Sequence, residues 1–213
     1  MSFDFLAPHY RWLEWLTAGE KLQRCRTAFL DALPSPANAL IYGEGNGRFL
    51  IELCRRFPAA RVTVVDASAG MIAQARQRLQ HAGLPEAAVT FIHADALAWA
   101  PPAAAFDLIV TCFFLDCFQE EQLRHLVPGI ARAATARAHW LVADFQISGS
   151  GLWRLRSRVI VKFLYAIFRF LTRLPAHTLT CPDALLRAAG FTTQQRHEYD
   201  HGLLYSEWRL RAA

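Results

Sequence analysis

The stretch Ala39-Leu40-Ile41-Tyr42-Gly43-Glu44-Gly45-Asn46-Gly47-Arg48 carries an apolar run into three alternating glycines and then into a helix-forming segment. A chain that turns this tightly between strand and helix needs glycine, which has no Cβ and lets a ligand approach the backbone closely. A second apolar run, Val62-Thr63-Val64-Val65, ends in Asp66, nineteen residues after Gly47. An acid at the end of that strand can bind the two hydroxyls of a ribose. The plain alternative is a strand–turn–helix junction with a capping aspartate.

The glycine spacing bears on which nucleoside ligand fits. Dinucleotide folds use G-x-G-x-x-G and rest a pyrophosphate on the helix N-terminus. Here the pattern is G-x-G-x-G, and Glu44 lies inside the loop. A carboxylate there repels a pyrophosphate and tolerates or attracts an ammonium or sulfonium. This favours S-adenosylmethionine over a nicotinamide dinucleotide, and so disfavours an oxidoreductase built on the same kind of sheet.

The rest of the chain alternates in the same way. Strands are expected near 39–43, 61–66, 88–93, 106–113 and 138–146, with helices over 47–57, 69–82 and 119–134 between them. Such alternation gives a parallel sheet with helices on both faces. A helix over 182–189, stopped by Gly190, precedes two strands near 191–199 and 203–210, a closing antiparallel hairpin. Residues 11–33 carry apolar positions at helical spacing, and Pro34-Ser35-Pro36 ends them. The expectation is one α/β domain over 1–213, with an N-terminal helical cap over 1–36 and a helical insert over 147–176.

At this point the chain resembles the class I S-adenosylmethionine-dependent methyltransferases, over about residues 39–211. Their glycine-rich motif matches Gly43, Gly45 and Gly47, and their ribose-binding acid matches Asp66. Their adenine-contacting acid matches Asp95, with Ala96 supplying a backbone N–H; their fourth motif matches the strand from Asp107 to Phe114. The resemblance implies a Rossmann-like, doubly wound, seven-stranded sheet and a cofactor site that also takes in Ala67 and Cys112. It implies S-adenosylmethionine as cofactor and S-adenosylhomocysteine as product. Two departures stand out. The acid often found two residues before the first glycine is Ile41 here, which leaves Glu44 as the candidate contact for the methionine ammonium. The segment Phe113-Phe114-Leu115-Asp116-Cys117-Phe118 lacks the Asn/Asp-Pro-Pro-Tyr/Phe motif of many amino-group methyltransferases, which argues against DNA bases and protein glutamines as acceptors.

Composition narrows the partners. With 213 residues, 54% hydrophobic and 19% charged, the chain can bury a substantial core. Residues 1–10 carry no apolar run of a signal peptide. Five cysteines without a C-x-x-C pair read as free thiols in a reducing cytoplasm, and no metal-ligand spacing is present. The net charge of +5 suits an anionic substrate or acidic surface, whereas a nucleic-acid reader would show a denser basic patch in a recognisable module. A homodimer is compatible with the apolar surface.

The segment 152–174 lies outside the minimal plan. On a helix, Arg158, Lys162, Tyr165, Arg169 and Arg173 fall along one stripe, and the remaining circumference is mostly apolar. Three roles fit: a lid over the acceptor, a core helix with a solvated basic stripe, or peripheral contact with an anionic membrane.

For the chemistry, ligands of this sheet type sit at the C-terminal strand ends. Methyl transfer needs alignment and exclusion of water, and an oxygen or carbon nucleophile often needs a base. Asp116 and Asp144 lie at the right strand ends, with Phe113 and Phe114 beside them. Asp116 could instead cap the helix starting near Gln119, and Asp144 could be a structural carboxylate. Ala7-Pro8-His9-Tyr10 is similar to the opening of quinone C-methyltransferases and makes Tyr10 the candidate cap over the acceptor. The expected activity is O- or C-methylation of a small apolar or aromatic molecule. The rival expectation is a non-catalytic protein that binds the cofactor or a lipid.

Overall fold

The structure is a computed structural model and describes residues 19–148, 150–172 and 179–212. Tyr10 and residues 1–18 of the expected cap lie outside them. Seven strands form one sheet: β1 (Asn38–Tyr42), β2 (Arg61–Asp66), β3 (Val89–His93), β4 (Phe106–Cys112), β5 (Ala134–Phe145), β6 (Phe191–Tyr199) and β7 (Leu204–Arg211). Their spatial order is β3-β2-β1-β4-β5-β7-β6. The first five run parallel, and β7 is antiparallel to both β5 and β6. This is the expected doubly wound sheet with a C-terminal antiparallel hairpin.

The strand sequences explain the layering. Successive residues of a strand face opposite sides. Leu40 and Tyr42 join the core packed by Leu123, Val127 and Ile130 of α4 (Glu120–Ala133) and Leu186 of α6 (Asp183–Ala188). Ala39 and Ile41 face the opposite core, with Leu50 and Leu53 of α2 (Arg48–Arg56) and Leu79 of α3 (Ala69–His81). Strands covered on both faces read as apolar runs, as Ala39–Tyr42 of β1 and Leu108–Val110 of β4 do. β1 lies between β2 and β4, where the winding reverses, so the crevice beyond its C-terminal end is the natural ligand position.

A third, smaller core places two further helices over that end. Leu22 and Cys25 of α1 (Gly19–Thr27) pack with Ala143 of β5, Val161 of α5 (Gly151–Thr172), and Leu203 and Leu204 at the start of β7. The β6–β7 connection turns through three left-handed residues, Asp200, His201 and Gly202, with φ of 51°, 56° and 82°. Asp and His tolerate this region better than most residues. Two cations hold the turn: Lys21 of α1 meets Asp200 Oδ1 at 2.6 Å, and Arg156 of α5 meets Oδ2 at 3.0 Å. Trp153 of α5 stacks on His201, with ring centroids 3.7 Å apart.

Candidate active site

The glycine loop is built from its two ends. Gly43, Gly45 and Gly47 all have positive φ, 64°, 66° and 88°. At Gly43 a Cβ would come within 2.6 Å of the Phe114 ring, so glycine there lets that ring lie across the end of β1. At Gly45 a Cβ would meet nothing within 4 Å, so the loop's backbone faces open space where a ligand can approach. Asp66 ties the loop to β2: Gly45 N–H donates to Oδ2 at 3.1 Å, and Ser68 N–H to Oδ1 at 2.9 Å. An ionised carboxylate has about four acceptor positions, the acceptor chemistry that the hydroxyls of a ribose require. Ala67 follows, its carbonyl 3.1 Å from His93 Nε2. Asp95 closes the next loop: Oδ1 accepts Leu97 N–H at 3.0 Å, and its carbonyl accepts Ala98 and Trp99 N–H. Ala96 lines a pocket of about 160 Å³ with Tyr42, Trp99, Leu126 and Ile130.

Glu44 has a local task beyond the one expected. Helix α2 starts after Gly47, which has no side chain to cap it. Glu44 Oε1 takes that place, accepting Phe49 N–H at 3.0 Å and Leu50 N–H at 2.9 Å. Burial pushes its carboxyl up to about 7, against the lowering effect of those N–H groups and of Arg26. Its net negative charge in the loop thus depends on nearby cations.

Arg26, on α1, is the site residue that the sequence does not reveal. It is buried, its guanidinium lies 5.1 Å from the Phe113 ring centre, and its charge acts on Glu44 and Cys112. A cation carried over the strand ends by a separate helix has no periodicity or motif to announce it. Asn46 inside the loop was also missed: it is buried, and its Nδ2 has no partner among the described residues. Buried polar groups are normally satisfied, so this donor favours a polar ligand in the crevice. Cys112 ends β4 half-buried, and burial holds its thiol well above the usual range.

The chain leaves β4 through Phe113, whose φ of 53° is unusual for a bulky residue. Two bonds hold it there. Phe113 N–H donates to the Ala143 carbonyl at 2.6 Å, and Phe114 N–H donates to Asp144 Oδ1 at 3.1 Å. Phe113 then packs against Phe145, centroids 5.3 Å apart, and Phe114 stacks on Tyr42. Asp116 follows in a 3-10 turn, Leu115–Cys117, and is buried. The N-cap of α4 is Gln119, whose N–H is accepted by Gln122 Oε1 at 3.0 Å.

Asp116 and Asp144 form a coupled pair of buried carboxyls. Burial raises Asp116 to about 6, offset by hydrogen bonds from Cys117 and Asp144. Burial, and then the Asp116 charge, push Asp144 well above the usual carboxylate range. Asp144 Oδ2 meets no hydrogen-bond partner among the described residues. Two buried carboxyls that interact resist losing both protons together. Among the described residues no three His, Cys, Asp or Glu side chains gather into a metal-binding group.

Residues 39–136 match a family model described as a methyltransferase domain. The chain is 29% identical to the demethylmenaquinone methyltransferase of Thermus thermophilus over 90% of its own length and 92% of that protein. The solved structure of a mitomycin 7-O-methyltransferase aligns with all of this chain at TM-score 0.73 and 20% identity, and the chain spans 61% of that one. A Burkholderia thailandensis 1,6-didemethyltoxoflavin N1-methyltransferase, solved with S-adenosylhomocysteine bound, aligns with 99% of the chain and 86% of its own at TM-score 0.68 and 18% identity.

Proposed function

We propose that this chain, which belongs to the class I S-adenosylmethionine-dependent methyltransferases, methylates an oxygen or carbon of a small apolar or aromatic acceptor. The observation that carries this reading is the buried Asp116–Asp144 pair beside the Phe113–Phe145 aromatic wall, at the C-terminal ends of β4 and β5. Aromatic walls bind flat apolar molecules, and a half-protonated carboxyl pair can take a proton from a hydroxyl or an acidic C–H.

The residues present fit the cofactor. Asp66 offers acceptors for the ribose, Gly45 leaves space above the loop, and Glu44 and Arg26 supply an anion and a cation for the two charged groups of an amino acid. When bound, S-adenosylmethionine supplies an electrophilic methyl group on sulfur. Arg26 would hold the amino-acid carboxylate, and Glu44 would favour its ammonium. Asp95 and Ala96 would border the adenine. Asp116 accepts the acceptor's proton, and Asp144 positions Asp116 by sharing its own. The inner face of α5 and the wall around Phe113 exclude water, which strengthens every charge interaction in the crevice.

Two measurements test this. Arg26→Met should weaken S-adenosylhomocysteine binding roughly tenfold or more in isothermal titration, as expected when a charge-assisted hydrogen bond of ~1.5–3 kcal/mol is lost. Unchanged affinity would remove Arg26 from the cofactor site. Turnover should be sought with labelled cofactor and phenols or quinones. Its rate should rise with pH through about 6, because the base must be ionised and burial raises Asp116. Asp116→Asn should lower turnover about 100-fold or more and abolish that limb while leaving cofactor affinity intact. Full turnover in this variant would exclude Asp116 as the base.

A further inference from the structure

Among the described residues, six large apolar side chains are exposed, and five lie on α5: Leu152, Trp153, Leu155, Val159 and Phe163. Four of them, Leu152, Leu155, Val159 and Phe163, follow each other at spacings of three or four and form one outward stripe. The opposite face, with Ser157, Val161 and Leu164, is buried against the body of the protein. The stripe is therefore not the part of α5 that packs over the crevice.

Charge indicates what covers it. Arg154, Arg158 and Lys162 repeat every fourth residue along one edge of the stripe, and all three are exposed. Arg156, towards the other edge, is held by Asp200. Between Asp144 and Asp183 the sequence contains six Arg or Lys and no acid. An apolar stripe edged only by cations is complementary to a surface that is apolar below and anionic above. No helix among the described residues is long and apolar enough to cross a membrane, so the fit is to a helix lying in the interface. The ties of Arg156 and Trp153 to the β6–β7 turn fix the first turns of α5 on the protein, so the stripe is presented as a rigid surface.

We propose that the outward stripe of α5 docks the protein on an anionic bilayer. Leu155, Val159 and Phe163 enter the boundary between headgroups and acyl chains, and Arg154, Arg158 and Lys162 lie on the anionic headgroups. The docking is independent of the methyl acceptor and needs no turnover to be observed.

The test is co-sedimentation of the full chain with vesicles of equal parts phosphatidylglycerol and phosphatidylcholine, against phosphatidylcholine alone. Binding is expected only to the anionic vesicles and should weaken in high salt. Arg158→Glu with Lys162→Glu should lower the partition coefficient at least roughly tenfold. Val159→Ser with Phe163→Ser should lower it comparably while leaving thermal unfolding unchanged, since both side chains are exposed. No preference for anionic vesicles, or binding that both double variants retain, overturns the proposal. So does a lipid-free dimer in sedimentation velocity that Phe163→Ser dissociates, because the stripe would then be covered by a second copy of the chain.

Discussion

Asp66→Ala should reduce S-adenosylhomocysteine affinity by roughly 100-fold to 10,000-fold in isothermal titration, the equivalent of two hydrogen bonds to a charged acceptor at ~1.5–3 kcal/mol each. The effect has two sources. The ribose loses its acceptors, and the glycine loop loses the anchor that Oδ2 provides to Gly45 N–H. Asp66→Asn separates them: its amide oxygen can still accept one backbone N–H, but the charge is gone, so its affinity should fall between wild type and alanine. The carboxylate is buried at the crevice end of β2 and belongs to none of the apolar core clusters, so circular dichroism of both variants should remain that of the folded sheet. Wild-type affinity in Asp66→Ala would falsify the assignment of this crevice as the cofactor site.

Arg209→Ala is expected to give the largest loss of stability. Arg209 is fully buried in β7 and meets Glu207 Oε2 and Asp183 Oδ1, each at 2.5 Å. Glu207 is itself buried and also pairs with Arg196. Removing one partner of a buried ion pair leaves an uncompensated charge and costs about 3–5 kcal/mol, more than the pair contributes over an apolar replacement. For a chain of this size that corresponds to roughly 6–20 °C in the midpoint of thermal unfolding. The pH dependence gives an independent check. Hydrogen bonding to Arg209 holds Asp183 below its usual value. A folded-state pKa below the unfolded one contributes stability at neutral pH that is lost as the solution is acidified. That acid-side loss should be smaller in Arg209→Ala than in wild type. Equal midpoints for the two proteins would show that the network contributes little to the hairpin.

The parts of the molecule legible in the sequence are those whose causes are local. The β1–glycine–α2 junction, Asp66 and the alternation of strands and helices depend on neighbours within a few residues, and they appear where periodicity and turn chemistry place them. The seven-stranded sheet follows from that alternation together with the closing hairpin. Arg26 was not legible, because its position depends on how α1 packs on β5 and β7. Glu44 was legible as an acid in the loop, but its service as the cap of α2 follows from the backbone path through Gly47. The coupling of Asp116 and Asp144 depends on β4 and β5 being adjacent and parallel, which brings together residues 28 positions apart. Of the expected basic stripe, Arg158 and Lys162 are exposed, and the side chains of Tyr165, Arg169 and Arg173 lie outside the described ones. That Leu155, Val159 and Phe163 also face outward was not legible, since periodicity marks an apolar stripe without saying what covers it.

The turn at Asp200 has a consequence for how the molecule opens. One buried carboxylate receives Lys21 from the N-terminal side of the chain and Arg156 from its middle, while the backbone around it is held in three consecutive left-handed conformations. The ends of α1, α5 and the hairpin therefore share this fastening as well as the third core, and are expected to behave as one cooperative unit. Amide hydrogen exchange should show α1 and the first turns of α5 opening together at one rate, with the parallel strands staying closed. Arg26 is carried by the same helix as Lys21, so loosening this turn by Asp200→Ala is expected to weaken S-adenosylhomocysteine binding in isothermal titration without any change inside the crevice.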